Sequence, residues 1–272
     1  MISTLPFVCK LAVLGIAASA FLVLLPSSGD TDEKAKIEPV HGVIPFWADG
    51  SDYVCHKAKG KITLDGKLDE PDWQRAAKIV LVTPCDKKQP LTATFARLLW
   101  DDQYLYFAAE VEDHDLCGTA EGHDAPWGED DVTEMFVKPE TDQPDYFKTG
   151  FWEFHATPQG ATRDYLWPTQ GDYPEAVARK WDSGMKLAVK AEGTLNNFFE
   201  IDKGYTFEMA IPLAAFSKLA PSPKPGDRWR FVVSRYDYSG QNPAGVEYSA
   251  SAYLPKIRFN MWEHYPYMVF GE

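Results

Sequence analysis

The reading of this chain turns on residues 92–113, TATFARLLWDDQYLYFAAEVED. In its second half Leu105, Phe107, Ala109 and Val111 alternate with Tyr104, Tyr106, Ala108 and Glu110. A period of two marks a strand, because successive side chains leave opposite faces of the pleat. Asp101 and Asp102 interrupt the apolar runs and supply a tight turn, so the stretch predicts a hairpin.

The pattern extends outward from there. Strands are predicted at 132–138, 150–157, 161–167, 185–191, 205–211, 228–237, 247–254 and 265–270, separated by clusters of Gly, Pro, Asn and Asp. IPLAAF, residues 211–216, predicts one helical turn after a strand. Upstream, KITLDGKLDEPDWQRAA (61–77) predicts a short strand, an Asp-Gly turn and a short helix. That helix opens at Glu70 and Pro71 and turns Trp73, Ala76 and Ala77 to one apolar face. No helix of ordinary length is predicted beyond residue 80. Short strands at near-regular spacing define an all-β chain: a two-sheet antiparallel β-sandwich, jelly-roll or immunoglobulin-like, with very short helices.

Composition narrows the function. The 272 residues are 45% hydrophobic and 14% aromatic, with nine Trp and 13 Tyr, more than the core requires. Trp and Tyr suit half-wet surfaces, since each joins an apolar body to a polar tip. A net charge of −13 excludes a basic stripe for phosphates, so no nucleic-acid partner is expected. It suits a neutral ligand or a divalent cation.

Lys10 precedes LAVLGIAASAFLVLL, residues 11–25, an uncharged run of 15 residues. That is short of the roughly 20 needed to span a bilayer and suits a secretory leader. Residues 1–29 are therefore expected to be a signal peptide or an N-terminal anchor, 30–53 a linker, and 54–272 one domain. The domain is expected to be secreted, periplasmic or held in the cell envelope, with the leader as its only membrane contact, and to be monomeric. In that oxidising compartment Cys55, Cys85 and Cys117 remain, an odd number. A Cys55–Cys85 disulfide is favoured, pinning the start of the domain to its early part. Cys117 is left as a spare or buried thiol.

The chemistry gathers in HDAPWGEDDVTEMFV, residues 123–137. Trp127 is followed by Glu129, Asp130, Asp131 and Glu134, and then by an apolar strand. A pyranose presents C–H bonds on its faces and hydroxyls at its rim. Its complement is an aromatic plate edged by carboxylates, which accept strong charge-assisted hydrogen bonds. Trp127 with Glu134 fits that description. The acids also offer hard oxygens for calcium, through Asp113, Asp115, Asp130 and Asp131, although a solvated acidic loop reads the same way.

Five motifs in order, ITLDGKLDEPDW, ARLLWDDQYLYFAAEVEDHDL, PWGEDDVTEMFV, GYTFEMAIPL and PGDRWRFVVSRYD, resemble the family 9 carbohydrate-binding modules and their wider DOMON-like relatives. The resemblance runs from about residue 54 to the end. It implies two tryptophans clamping a sugar, at Trp127 and at Trp262 in RFNMWEHYPYMVFG, with Glu134 on the hydroxyls; Trp152, Trp167 or Trp181 could serve in place of Trp262. It implies calcium, with Asp113 at a family calcium position. Two features depart from the family pattern. The Trp127 to Glu134 spacing is one residue longer, and GFWEFHATPQG offers Glu153 and His155 where a basic residue is expected.

The expected function is thus a saccharide-holding module for polysaccharide breakdown or uptake. It is built on Trp127, Trp262, Glu134, Glu153 and His155, with calcium on Asp113, Asp115 and Asp131. Catalysis is not required by any feature. Two alternatives stay open: hydrolysis of glycosidic bonds by Glu134 and Glu153, and a haem site using Met135, His155 or Met209, as the wider group implies.

Overall fold

The structure, a computed structural model, describes residues 37, 39–125, 128–140, 150–170, 173–240 and 242–272. The expected leader, linker residues 30–36 and Trp127 lie outside them. No helix among the described residues is long and apolar enough to cross a membrane.

The hairpin of the opening motif forms as β3 (Thr94–Trp100) and β4 (Tyr104–Glu112). Asp101 makes the turn. Its Oδ1 accepts the amides of Gln103 and Tyr104, both at 2.7 Å, and its Oδ2 accepts the Tyr106 hydroxyl. The period of two then sorts β4: Leu105, Phe107, Ala109 and Val111 enter the main core. Tyr106 and Ala108 enter a smaller cluster on the other face, beneath Trp73.

The other strands follow the sequence expectation within two residues, except β11, which ends four residues early. They are β5 (Val132–Pro139), β6 (Phe151–Ala156), β7 (Thr162–Trp167), β8 (Lys186–Glu192), β9 (Gly204–Pro212), β10 (Arg228–Tyr238), β11 (Val246–Ala250) and β12 (Tyr267–Phe270). Two strands escape the reading of the sequence, β1 (Tyr53–Lys57) and the two-residue β2 (Ile79–Val80). All helices are short, including the five-residue Pro71–Arg75 and the 3-10 turn Leu213–Lys218 that realises IPLAAF.

The strands form one hydrogen-bonded path, β7-β6-β5-β10-β12-β1-β3-β4-β9-β8, with β11 on β10 and β2 on β3. The join is β1, which pairs in parallel with β12 on one edge and β3 on the other. Both halves feed one core: Trp152, Phe154, Met135 and Phe231 from one, Phe107, Phe207 and Met209 from the other. The described residues are mostly β, with a few short helices, and the strand path curls almost into a barrel around those side chains. Phe216 of the 3-10 turn closes one end, edge-on to Trp152 at 4.8 Å and to Trp229 at 5.2 Å. Each such aromatic buries roughly 150–250 Å², which at about 25 cal/mol per Å² stabilises the fold by several kcal/mol.

Residues 61–64 correct the expectation of a strand there. The amide of Thr63 is taken by Glu70 Oε1 at 2.9 Å rather than by a neighbouring ladder. The Asp65-Gly66 turn is held from β9: Glu208 Oε2 accepts the amides of Asp65 and Gly66 at 2.9 and 3.0 Å, and Oε1 accepts Trp73 Nε1. Gly66 has φ +77°, and a Cβ there would sit 2.8 Å from the Lys190 amide nitrogen. Gly66→Ala is expected to destabilise the fold by about 1–3 kcal/mol. A urea melt showing no loss of midpoint would refute that expectation.

The expected Cys55–Cys85 disulfide is not formed, and both thiols are free. Cys55 points from β1 into the core near the Leu99 end of β3, and Cys85 is exposed. The chain reaches Cys85 only after β2 has run along β3 from Ala96 to Phe95, toward the other end of that strand. Burial pushes the Cys55 thiol pKa well up.

Candidate functional site

The face of β5, β6, β7 and β10 that turns away from the main core carries the polar side chains in rows set by strand register. Glu134 on β5 is paired with His155 on β6 and Ser234 on β10, and His155 with Arg163 on β7. One step along, Phe136 is paired with Glu153 and Glu153 with Tyr165. Paired residues share a face of the sheet. Trp167 ends the next row, stacked on Tyr165 at 5.3 Å and on Phe151 at 6.0 Å.

His155 binds the two acids together. Its Nε2 lies 2.5 Å from Glu153 Oε1 and 3.1 Å from Glu134 Oε2. Ser234 Oγ donates to Glu134 Oε1 at 2.8 Å, and Trp167 Nε1 donates to Glu153 Oε2 at 2.7 Å. Glu134 is only 2% exposed. Burial pushes its carboxyl up to about 7; the His155 charge opposes this and the Glu153 charge adds to it. Burial works against charge on His155, yet the hydrogen bond and charge of Glu153, with the charge of Glu134, outweigh it and hold the imidazole above its ordinary value. Glu153 stands at the solvent edge of the trio, its side chain 12% exposed.

The C-terminal segment roofs part of this face. Phe259 and Tyr265 pack on Phe136 and Phe151, and Trp167, Tyr236 and Trp262 pack against the same cluster. Trp262 is half-buried in a short 3-10 turn (Trp262–His264), with Lys138 Nζ 4.8 Å from its ring centroid. Of the expected saccharide residues, Trp262, Glu134, Glu153 and His155 thus gather on one side of the fold. Trp167, one of the substitutes the sequence offered for Trp262, joins them, as do Tyr165, Tyr236 and Ser234, which the sequence reading did not place there. Their signal was present in the alternation of TRDYLW and FWEFHA, which puts Arg163, Tyr165 and Trp167, like Phe151, Glu153 and His155, on one face. Trp152, weighed as a substitute for Trp262, is fully buried in the core, and Trp181 packs against that core.

The residues expected to hold calcium divide. Asp113 and Asp131 bring carboxylate oxygens together with Asp237, not with Asp115. Asp115 Oδ2 instead accepts Gly240 N at 2.9 Å and Ser239 Oγ at 3.0 Å. A guanidinium already supplies positive charge to the cluster. Arg235 NH2 lies 2.7 Å from Asp113 Oδ2 and 3.1 Å from Asp237 Oδ2. Asp131 accepts the amides of Cys117 and Tyr238. Calcium requires six to eight oxygens free to turn toward it; here the oxygens are committed and a cation stands among them, so the set does not fit calcium. Asp130 likewise serves its own loop, accepting from Thr119 and Ala120. Met135 and Met209, the expected haem ligands beside His155, are fully buried in the core.

A β-rich chain with aromatic rings and carboxylates on one sheet face, part-roofed by its last segment, has the makings of a binding domain for a polar ligand with an apolar side. Residues 64–260 match the family described as "Carbohydrate family 9 binding domain-like", and the chain belongs to that family. Among solved structures it is similar to a protein of Bacteroides uniformis ATCC 8492 whose name proposes carbohydrate binding. The identity is 15% and the TM-score 0.58, over 80% of this chain and 97% of that one. It is also similar to a family 9 carbohydrate-binding module of Caldicellulosiruptor kristjanssonii in complex with cellotriose. There the identity is 16% and the TM-score 0.53, over 80% of this chain and 93% of that one. At these identities the likeness is one of fold. No match was found among curated protein sequences.

Proposed function

We propose that this protein is an exported carbohydrate-binding module that holds a mono- or oligosaccharide, by its chain end, against the β5–β6–β7 face. Trp262 is one aromatic plate and Trp127, outside the described residues, the other. The observation that carries the reading is the Glu134–His155–Glu153 trio among Trp167, Tyr165, Tyr236 and Trp262. In it Glu153 meets ligand hydroxyls at the edge. Glu134 has both oxygens engaged and acts from beneath by holding His155 in place. The two halves of the strand path serve as the layers of a sandwich, which keeps the face rigid. The bound saccharide is then available to other proteins that degrade or import it.

Two half-covered indoles contribute a few kcal/mol gross at about 25 cal/mol per Å². Lost translational freedom and desolvated hydroxyls remove much of it, so a Kd in the micromolar to millimolar range is expected. Isothermal titration against glucose, cellobiose, cellotriose and xylo-oligosaccharides tests this. Trp262→Ala and Glu153→Gln are each expected to weaken the best ligand roughly tenfold or more, about 1.4 kcal/mol, with the far-UV spectrum unchanged. Absence of heat with every sugar, or full affinity in both variants, would sink the reading.

One observation favours a second reading. A carboxylic acid raised to about 7 beside a second carboxylate is how glycosidases divide acid from base. It is the weaker reading, because His155 Nε2 stands within hydrogen-bond reach of both acids and fills the place of a scissile bond. Reducing ends released from cello- or xylo-oligosaccharides, and abolished by Glu134→Gln, would reverse the order of the two.

A further inference from the structure

A second convergence of ligating atoms lies at the start of β7, away from Glu134. The segment Gly122–Asp124 runs beside Thr162: Asp124 N donates to Thr162 O at 2.9 Å and Thr162 N to Gly122 O at 3.0 Å. This parallel bridge sets His123 against the strand. His123 Nδ1 lies 3.0 Å from Thr162 Oγ1. With the ring proton on Nδ1 and donated there, the Nε2 lone pair faces three carboxylate oxygens. These are Asp164 Oδ1 at 3.8 Å, Asp124 Oδ1 at 3.9 Å and Asp182 Oδ1 at 4.0 Å. Such distances are too long for hydrogen bonds.

Asp164 supplies an independent observation. Its side chain is fully buried, and Oδ2 accepts both the amide and the hydroxyl of Ser183. Oδ1 is shut off from solvent and accepts no hydrogen bond, and Asp124 Oδ1 is in the same condition. A buried carboxylate oxygen without a donor is costly to keep. Two of them aimed at one imidazole nitrogen call for a cation between them.

We propose that His123 Nε2, Asp164 Oδ1 and Asp182 Oδ1, whose ligand atoms lie within 4.8 Å of one another, hold a divalent transition-metal ion of the zinc class, with water in the fourth position and Asp124 beside it. The imidazole nitrogen selects that class over calcium and magnesium, which take oxygen alone. Zinc binds nitrogen and oxygen at about 2.0–2.2 Å in a tetrahedron, which sets ligand atoms roughly 3.3–3.6 Å apart. His123 Nε2 stands 3.8 Å from Asp164 Oδ1 and 4.0 Å from Asp182 Oδ1, and the exposed side chains of His123 and Asp182 draw in to close on the ion. Thr162 plays the outer partner that orients a metal-bound histidine. The ion ties the Gly122–Asp124 turn to β7 and to the segment before β8. Asp124 stands three residues before Trp127, so the ion braces the root of the segment that carries one sugar plate.

The test uses full-length protein stripped with chelator, dialysed against zinc at micromolar concentration and assayed for metal by mass spectrometry. Wild type is expected to retain one zinc that His123→Ala loses, and to melt higher with zinc only when His123 is present. The trio of Glu134, Glu153 and His155 is a rival zinc site, so His155→Ala is the control and is expected to keep the ion. Cobalt in place of zinc should give visible absorption bands that vanish in His123→Ala. Asp164→Asn serves as a second variant if it folds; exposed His123 decides if it does not. Equal zinc in wild type and His123→Ala, loss confined to His155→Ala, or preference for calcium at equal concentration would each overturn the proposal. No sugar enters these measurements, so their failure is separable from failure of the saccharide reading.

Discussion

Arg235→Ala is expected to cost about 3–5 kcal/mol of folding stability at neutral pH, the range for stripping a buried ion group of its counter-charge. Arg235 is 1% exposed and sits among Asp113, Asp131 and Asp237, all buried. Its NH1 also donates to Thr92 Oγ1 and to Glu112 O, each at 2.8 Å. The guanidinium on β10 thus grips the hairpin of β3 and β4, and so ties one half of the strand path to the other. Burial opposes its charge, but Asp237 and Asp113 outweigh that and hold its pKa above the ordinary value. In return the three acids depend on it. Burial already raises the Asp113 carboxyl, and raises that of Asp131 well above its usual range with help from the Asp113 charge. Removing Arg235 leaves them without a cation, and the deficit should narrow in acid, where they can be protonated. Urea unfolding at pH 5 and 7.5 checks this. Arg235→Met combined with Asp113→Asn and Asp237→Asn should recover much of the loss, since neutral groups need no partner. A loss under about 1 kcal/mol in Arg235→Ala, far below the range for a broken buried pair, would show the cluster to be wetter than drawn.

The second large effect is on the pH profile. Glu134 has a folded pKa of about 7, above its model-peptide value of 4.5. Below about pH 4.5 both states carry the proton and the stabilisation is complete. Between 4.5 and 7 the folded state keeps a proton that the unfolded chain has released, so stability falls as pH rises. The span corresponds to about 3 kcal/mol at 1.36 kcal/mol per pH unit. His155 acts in the same direction: its raised pKa adds stability that is complete below about 6.5 and is lost as pH climbs through the folded value. The protein is therefore expected to gain stability on mild acidification, where many proteins lose it. Glu134→Gln should flatten the difference between pH 5 and pH 8 by about 3 kcal/mol, because Gln does not titrate. Unfolding midpoints with the same pH slope in wild type and variant would defeat the assignment.

Much of the fold was legible because it rests on local pattern. The Asp101 turn and the alternation of β4 each depend on neighbours within a few residues. What escaped depends on distant partners. β1 is five residues whose pairing comes from β12 and β3, the first of these 215 positions away by the Tyr53–Met268 and Val54–Val269 pairs, and nothing in YVCHK announces it. The short strand read at KITL failed for the converse reason: Glu70 took the amide of Thr63, and Glu208 the amides of the turn that follows. Cys55 and Cys85 looked pairable by number alone, while burial of one and exposure of the other kept them apart.

At the site, residue types could be read but not their company. The motif search put Asp113 and Asp131 with calcium. The fold put Arg235 there instead, because β10 lies alongside β5 and the core-facing alternation of Phe231, Val233 and Arg235 brings a guanidinium inward to the acids. Sequence by itself determined the strands, the turns, the family and the stock of tryptophans and carboxylates, since backbone geometry and side-chain chemistry are local properties. Tertiary structure alone decided that Glu134 and Glu153 share one histidine, that Trp167 joins them, and that His123 meets Asp164. Those meetings are set by register between strands, and a shift of one residue would send every one of these side chains to the opposite face.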